Sequence, residues 1–241
     1  MITTIEEFQV EFAKIKKLGW IKTSRSNDTG IGKTLEDLLG IEENNKDEPD
    51  FGDYELKSGR IGSPSMLTLF TRTPSPKGVN KHLWDEYGYI KEESGKSAKV
   101  LHCSLSTTRF TPISDTGRSL KITCDDKIYI ESDEGLEDAY WEYKDLEKVF
   151  NKKFKNKLVY VKAYSRGYGL SEEFYFAEAY LIDNLDSSRV FELIKTGDIM
   201  VDIRIGQYCS GVNKGKYHDH GTAFRLKNQD KLFQGEMRID L

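Results

Sequence analysis

Apolar side chains in this 241-residue chain seldom run together; they alternate with polar ones or recur at helical spacing, and that patterning limits the folds open to it. In Ile199–Ile205, Val201, Ile203 and Ile205 fall on one side of an extended backbone, Asp202 and Arg204 on the other. In DYELKS, Tyr54 and Leu56 alternate in the same way with Glu55 and Lys57. Shorter β-rich runs occur at Met66–Arg72, Val100–Thr107, Ser119–Cys124, Lys127–Glu131, Leu158–Tyr164, Phe174–Tyr180, Thr222–Lys227 and Glu236–Leu241. Between them lie helical patterns. Thr4 with Glu7 forms a capping box ahead of Ile5, Phe8, Phe12 and Ile15, and Gly19 closes that helix. Further helices are expected at Lys33–Leu39 (stopped by Gly40), Asn80–Tyr87, Tyr143–Phe154 and Ser187–Lys195 (ended by Gly197), with a long Gly/Lys/His loop at Cys209–Gly221. Interleaved strands and helices of this kind predict an α+β (mixed α/β) fold.

Apolar residues make up 37% of the chain, no apolar run approaches the ~20 residues of a bilayer span, and MITTIEEFQVEF carries acids where a signal peptide would carry lysines. A soluble, cytoplasmic protein is expected. Three widely spaced cysteines, Cys103, Cys124 and Cys209, make neither a disulfide framework nor a zinc ribbon. The net charge of −4 would by itself argue against a nucleic-acid partner, but the charges are sorted. Glu36–Glu55 holds nine carboxylates and one lysine, Asp125–Glu147 ten and two lysines, and Lys148–Arg166 seven basic residues and no acid. Carboxylates that bind a cation beside lysines that hold phosphates are what a metal-dependent enzyme acting on a polyanion needs. Solvated faces of unrelated helices would give the same charge blocks.

TGIGKT invites comparison with a phosphate-binding P-loop, yet Asn27 stands where its first glycine would be and no strand precedes it. Pro49-Asp50 followed by Glu55-Leu56-Lys57 is more informative. Glu55 and Lys57 share a strand face, and Asp50 at the entry turn can reach them, so two carboxylates and an ammonium converge. Such a set can hold Mg²⁺ in an oxygen shell and orient a water or stabilise a pentavalent transition state. Acid-x-Lys also occurs at Asp125-x-Lys127 and Glu142-x-Lys144, and a salt-bridged strand face is the alternative. Glu36, on the short helix just upstream, is a third candidate carboxylate. A second constellation is VDIRIG…HDHGTAFR. Asp202, Arg204, His218, His220 and Arg225 are types that read base edges, and Lys214 and Lys216 suit phosphates. A zinc site at HDH and surface histidines without a role are the competing readings.

With both constellations in view, the chain resembles the MvaI/BcnI family of type II restriction endonucleases, within the PD-(D/E)-x-K nuclease superfamily and more distantly similar to MutH. The similarity is carried by TGIGKTLEDLLG (Thr29–Gly40), EPDFGDYELKS (Glu48–Ser58), LTLFTRTP (Leu67–Pro74), GDIMVDIRIG (Gly197–Gly206) and KGKYHDHGTAFR (Lys214–Arg225). It implies a restriction-endonuclease-like mixed sheet flanked by helices, with a double-stranded DNA cleft between a catalytic lobe (about 1–185) and a recognition lobe (about 186–241). It also implies a monomeric enzyme, dependent on Mg²⁺ with Mn²⁺ as substitute, that nicks the two strands of a CC-N-GG-type site in sequence. On this resemblance Asp50, Glu55 and Lys57 are the catalytic triad, with Asp50, Glu55 and the Leu56 carbonyl as metal ligands. Glu36 falls on a helical glutamate near the site, and Asp202, Arg204, His218, His220 and Arg225 fall on base-reading positions. A cognate methyltransferase is expected in the host, not as a bound subunit. His82 is either a minor-groove reader or an ordinary helix-surface histidine.

Overall fold

The computed structural model describes residues 2–42, 48–93, 95–155, 157–183, 185–232 and 237–239. The fold is mixed α and β, as expected, and the chain divides into two units. One comprises Met1–Ser65, Phe150–Asp186 and Gln229–Leu241, the other Met66–Val149 and Ser187–Asn228. The lobe boundary expected near residue 185 does not coincide with this division, because a strand at 96–105 pairs with one at 199–207 and draws the middle of the chain to its C-terminal part. Among the described residues no helix is long and apolar enough to cross a membrane.

In the first unit, α1 (Ile5–Lys17) starts at the expected capping box: the Glu7 N–H donates to Thr4 Oγ1 (3.3 Å), and Glu7 Oε2 accepts from the Thr4 N–H (3.3 Å). α2 (Gly30–Leu39) begins three residues before the expected Lys33. Its first two residues are buried, and a Cβ at Gly30 would lie 2.3 Å from the Arg25 carbonyl oxygen, so only glycine permits that entry. The sheet is ordered β1 (Ile21–Lys22), β11 (Glu173–Asp183), β10 (Lys157–Arg166), β2 (Glu55–Arg60), with β15 (Met237–Ile239) also pairing β11. Of the strand expected at Glu236–Leu241, positions 236, 240 and 241 lie outside the described residues. β2 runs parallel to β10, with Leu56 opposite Val159 and Lys57 opposite Tyr160. One sheet face, with Leu56, Val159, Val161, Ala163, Phe174 and Phe176, packs on Phe8, Phe12 and Ile15 of α1 and on Ile31, Leu35 and Leu39 of α2. Each of the larger side chains, Ala163 excepted, contributes roughly 1.5–3 kcal/mol when taken out of water. Side-chain alternation then assigns Glu55 and Lys57 to the opposite face.

The second unit has two antiparallel sheets. The larger is ordered β3 (Leu67–Thr71), β14 (Ala223–Leu226), β12 (Ile199–Gln207), β5 (Lys96–Leu105), β4 (Tyr89–Glu93), with β13 (Tyr217–Asp219) also on β12. The smaller is β6 (Thr111–Pro112), β7 (Ser119–Cys124), β8 (Ile128–Ser132), β9 (Gly135–Trp141). Helices α3 (Val79–Tyr87) and α5 (Ser187–Lys195) belong to this unit, and α4 (Tyr143–Phe154) spans the division. The segment expected to be loop throughout, Cys209–Gly221, contains β13: its backbone returns to pair Gly206 with His218.

Candidate active site and nucleic-acid interface

Pro49 leads into a tight turn in which the Phe51 N–H donates to the Tyr54 carbonyl (3.1 Å) and the Tyr54 N–H donates back to that of Phe51 (2.8 Å). Gly52 makes the turn possible, with φ of +53° and the Thr3 carbonyl oxygen 2.3 Å from where a Cβ would sit. The turn folds Asp50 back onto β2, where its Oδ2 accepts from the Leu56 N–H at 2.7 Å. That N–H faces away from β10, since β2 is the edge strand. The carbonyl of the same residue faces the same way in an extended strand. Asp50 and the Leu56 carbonyl therefore share the free edge.

Glu55 is fully buried; its Oε1 accepts from the Lys57 ammonium and forms an ion pair with Lys153, whose Nζ stands 3.2 Å away on α4. Its Oε2 is buried with no partner. Burial pushes the Glu55 carboxyl up from the usual range; Lys57 and Lys153 oppose that and Asp50 adds to it. Burial works to lower Lys57, but Glu55, Asp50 and Glu36 outweigh it and hold the side chain as an ammonium. The four predicted residues, Glu36, Asp50, Glu55 and Lys57, thus interact. The other acid-x-Lys sites do not form such a centre. Asp125 and Lys127 flank a turn closed by their own backbone (2.8 Å), and Glu142 is a half-exposed partner of Lys127 at 3.5 Å.

Lys153 was not singled out by sequence. It sits in the basic block beginning at Lys148, and that block was the available signal: it leads into β10, whose parallel pairing with β2 sets Leu158 beside Glu55 at the end of the acidic stretch. A cation fits this site. A carboxylate oxygen stranded in the interior costs about 1–3 kcal/mol or more, and Glu55 Oε2, Asp50 and the Leu56 carbonyl are the oxygen donors a hard divalent ion takes. Among the described residues no three His, Cys, Asp or Glu side chains cluster to hold a metal, so the donor set is two carboxylates and a carbonyl.

In the second unit, β12 buries Val201, Ile203 and Ile205 on one face and turns Asp202 and Arg204 to the other. The register puts Ser104 beside Asp202 and His102 beside Arg204. The His220 N–H donates to the Arg204 carbonyl (3.0 Å). Asp202 is nearly buried: Oδ1 accepts from Ser104 Oγ (2.7 Å), and Oδ2 accepts from Arg225 Nη1 (2.9 Å) with Arg204 Nε at 3.5 Å. It is therefore hydrogen-bonded to Arg225 and paired by charge alone with Arg204, whose Nε has no hydrogen-bond partner. Arg225 is also tied through Nη2 to the Met66 carbonyl (3.1 Å), while Arg204 is 42% exposed. The His218 ring lies 4.3 Å from Tyr208 and 4.1 Å, edge-on, from His220. Burial, with His218 and Arg204 nearby, lowers His220; burial, with Lys91 and His220, lowers His102. Both rings are neutral at pH 7, each with one donor and one acceptor. His102 was missed because its segment showed no motif; its place follows only from strand register. Lys214 and Lys216 are exposed in the loop before β13, and His82 is exposed on α3.

The family model described as the MvaI/BcnI restriction endonuclease family matches residues 10–233. The chain belongs to the MvaI/BcnI restriction endonuclease family. It is a type II restriction enzyme, a DNA nuclease. A solved structure described as the restriction endonuclease MvaI–cognate DNA substrate complex is similar over 99% of this chain and 98% of its own, with 35% identity and a TM-score of 0.83. That of MvaI in the absence of DNA matches at the same identity over 99% and 97%, with a TM-score of 0.58. The comparison with curated proteins gave no match. Family membership turns the two clusters into a candidate hydrolytic centre and a candidate base-reading surface of one MvaI/BcnI-family enzyme.

Proposed function

We propose that this MvaI/BcnI-family nuclease is a cytoplasmic, monomeric, Mg²⁺-dependent enzyme that cuts double-stranded DNA at a short pseudo-palindromic site of CC-N-GG type, CCSGG or CCWGG, nicking one strand at a time and leaving 5′-phosphates. The observation that carries the reading is the buried Glu55, with one oxygen against two lysines, the other buried without a partner, and the charge of Asp50 acting on its carboxyl. Asp50, Glu55 and the Leu56 carbonyl would hold the cation, which when bound supplies an acidified water and neutralises charge on the phosphate. Lys57, kept protonated by its carboxylate neighbours, stabilises negative charge that builds on the phosphoryl oxygens. Lys153 keeps Glu55 ionised in its dry setting, and Glu36 adds to the field that fixes the Lys57 proton. Arg204, Arg225, His218 and His220 are the proposed base readers, braced by Asp202; Lys214 and Lys216 are proposed to take phosphates. A G·C pair offers O6 and N7 to an arginine and N4–H to a histidine acceptor, which suits the proposed outer pairs.

The test is digestion of supercoiled plasmid by the chain alone with Mg²⁺, followed by sequencing of the fragment ends. Transient nicked circles that become linear, with ends at one CC-N-GG-type sequence, are expected. Nicked circles that never become linear, or ends without common sequence, would contradict the reading.

A further inference from the structure

β13 is three residues long and ends a long connection, yet it carries His218 of the proposed base-reading surface, and His220 follows one residue after its end. Alternation puts His218 and His220 on one face and Tyr217 and Asp219 on the other. The second pair is gripped by α3. Trp84 meets Tyr217 edge-on at 5.8 Å, and Asn80 Nδ2 donates to Asp219 Oδ2 at 2.8 Å and to Thr222 Oγ1 at 3.2 Å. Asp219 Oδ1 accepts from the Gly221 N–H at 2.8 Å, fixing the bend by which the chain leaves β13 for β14. Asn80 is 2% exposed, and its Oδ1 is buried without a partner. An amide held there at the cost of an unsatisfied oxygen is not a packing choice, since an apolar residue of similar size would avoid that cost.

We infer that Asn80 is a specificity-positioning residue: through Asp219 it sets the register and tilt of the His218–His220 pair against the base edges. The inference rests on the proposed base-reading role of those histidines. Asn80 touches no DNA on this account. It acts by removing the freedom of a strand too short to fix itself, and a misplacement of an ångström is enough to lose hydrogen-bond discrimination.

The experiment measures single-turnover cleavage of the cognate duplex and of duplexes with one changed base pair, for Asn80→Ala, Asn80→Asp, the exchange Asn80→Asp with Asp219→Asn, and His218→Ala with His220→Ala. Asn80→Ala should lower the cognate-to-changed ratio on the order of tenfold, with affinity for unrelated duplex unchanged. Asn80→Asp sets two carboxylates face to face and should do the same. The exchange restores an amide–carboxylate pair and should return the ratio to within about threefold of the original. If Asn80→Ala does not fold, the exchange still decides. An exchanged protein that cleaves with lost discrimination, or Asn80→Ala with an unchanged ratio, overturns the inference. An unchanged ratio in the double histidine variant overturns the base-reading role itself, which separates the two failures.

Discussion

Asp202 bears on both stability and recognition, and its two arginines are held unequally. The contact with Arg225 is 2.9 Å, with side chains 21% and 9% exposed; the contact with Arg204 is 3.5 Å, with the arginine 42% exposed. At an effective dielectric of about 20, opposite charges at the shorter distance attract by about 6 kcal/mol. Desolvation of both groups removes most of that, and a coupling of about 2 kcal/mol is expected to remain. The Arg204 pair, longer and wetter, should give about 0.5 kcal/mol. The assay is a pair of double-mutant cycles, Asp202→Asn with Arg225→Met and Asp202→Asn with Arg204→Met, read by urea unfolding. Trp20→Phe as background leaves Trp84 and Trp141, both in the same unit as these residues, as the fluorescent probes. A coupling to Arg204 equal to or larger than that to Arg225, or none to Arg225, would refute the assignment of Asp202 as a buried anchor.

Lys57→Ala or Asp50→Ala should abolish plasmid cleavage while circular dichroism and DNA retention on gels stay near those of the unaltered chain. Lys153→Met removes a cation 3.2 Å from Glu55, whose carboxyl burial already raises. Its ionised form is then lost at a higher pH as acid is added, so the acidic limb of the cleavage rate–pH profile should move to higher pH; an unmoved limb would contradict that role. The Cys103 thiol is pushed up to about 12 by burial, so at pH 8 Cys209, which is exposed, should react quickly with a disulfide reagent and Cys103 only on unfolding.

Much of the site was legible because its residues are close in sequence. A strand of period two must set Glu55 and Lys57 on one face, and a turn between Asp50 and Glu55 must bring the first carboxylate back. β12 announced itself through Val201, Ile203 and Ile205, and α1 through its capping box. The opposite was true wherever a role depends on pairing between distant segments. β9 reads as an acidic stretch because its first half is exposed, and only Ala139 and Trp141, buried against the second unit's core, show that it is a strand. Lys153, Asn80 and His102 each meet their partners through a helix contact or a strand register that no local spacing encodes. Asp202 was legible as a candidate for the recognition set, but its burial and its hydrogen bonds to Ser104 and Arg225 depend on neighbouring strands that no local spacing encodes.

Anomalous scattering from a crystal soaked in Mn²⁺ tests the central claim most directly. The account predicts one peak within coordination distance of Glu55 Oε2, an Asp50 oxygen and the Leu56 carbonyl, lost in Glu55→Gln. A peak at His218 and His220, or a site with Glu55 still turned only to its two lysines, would contradict it.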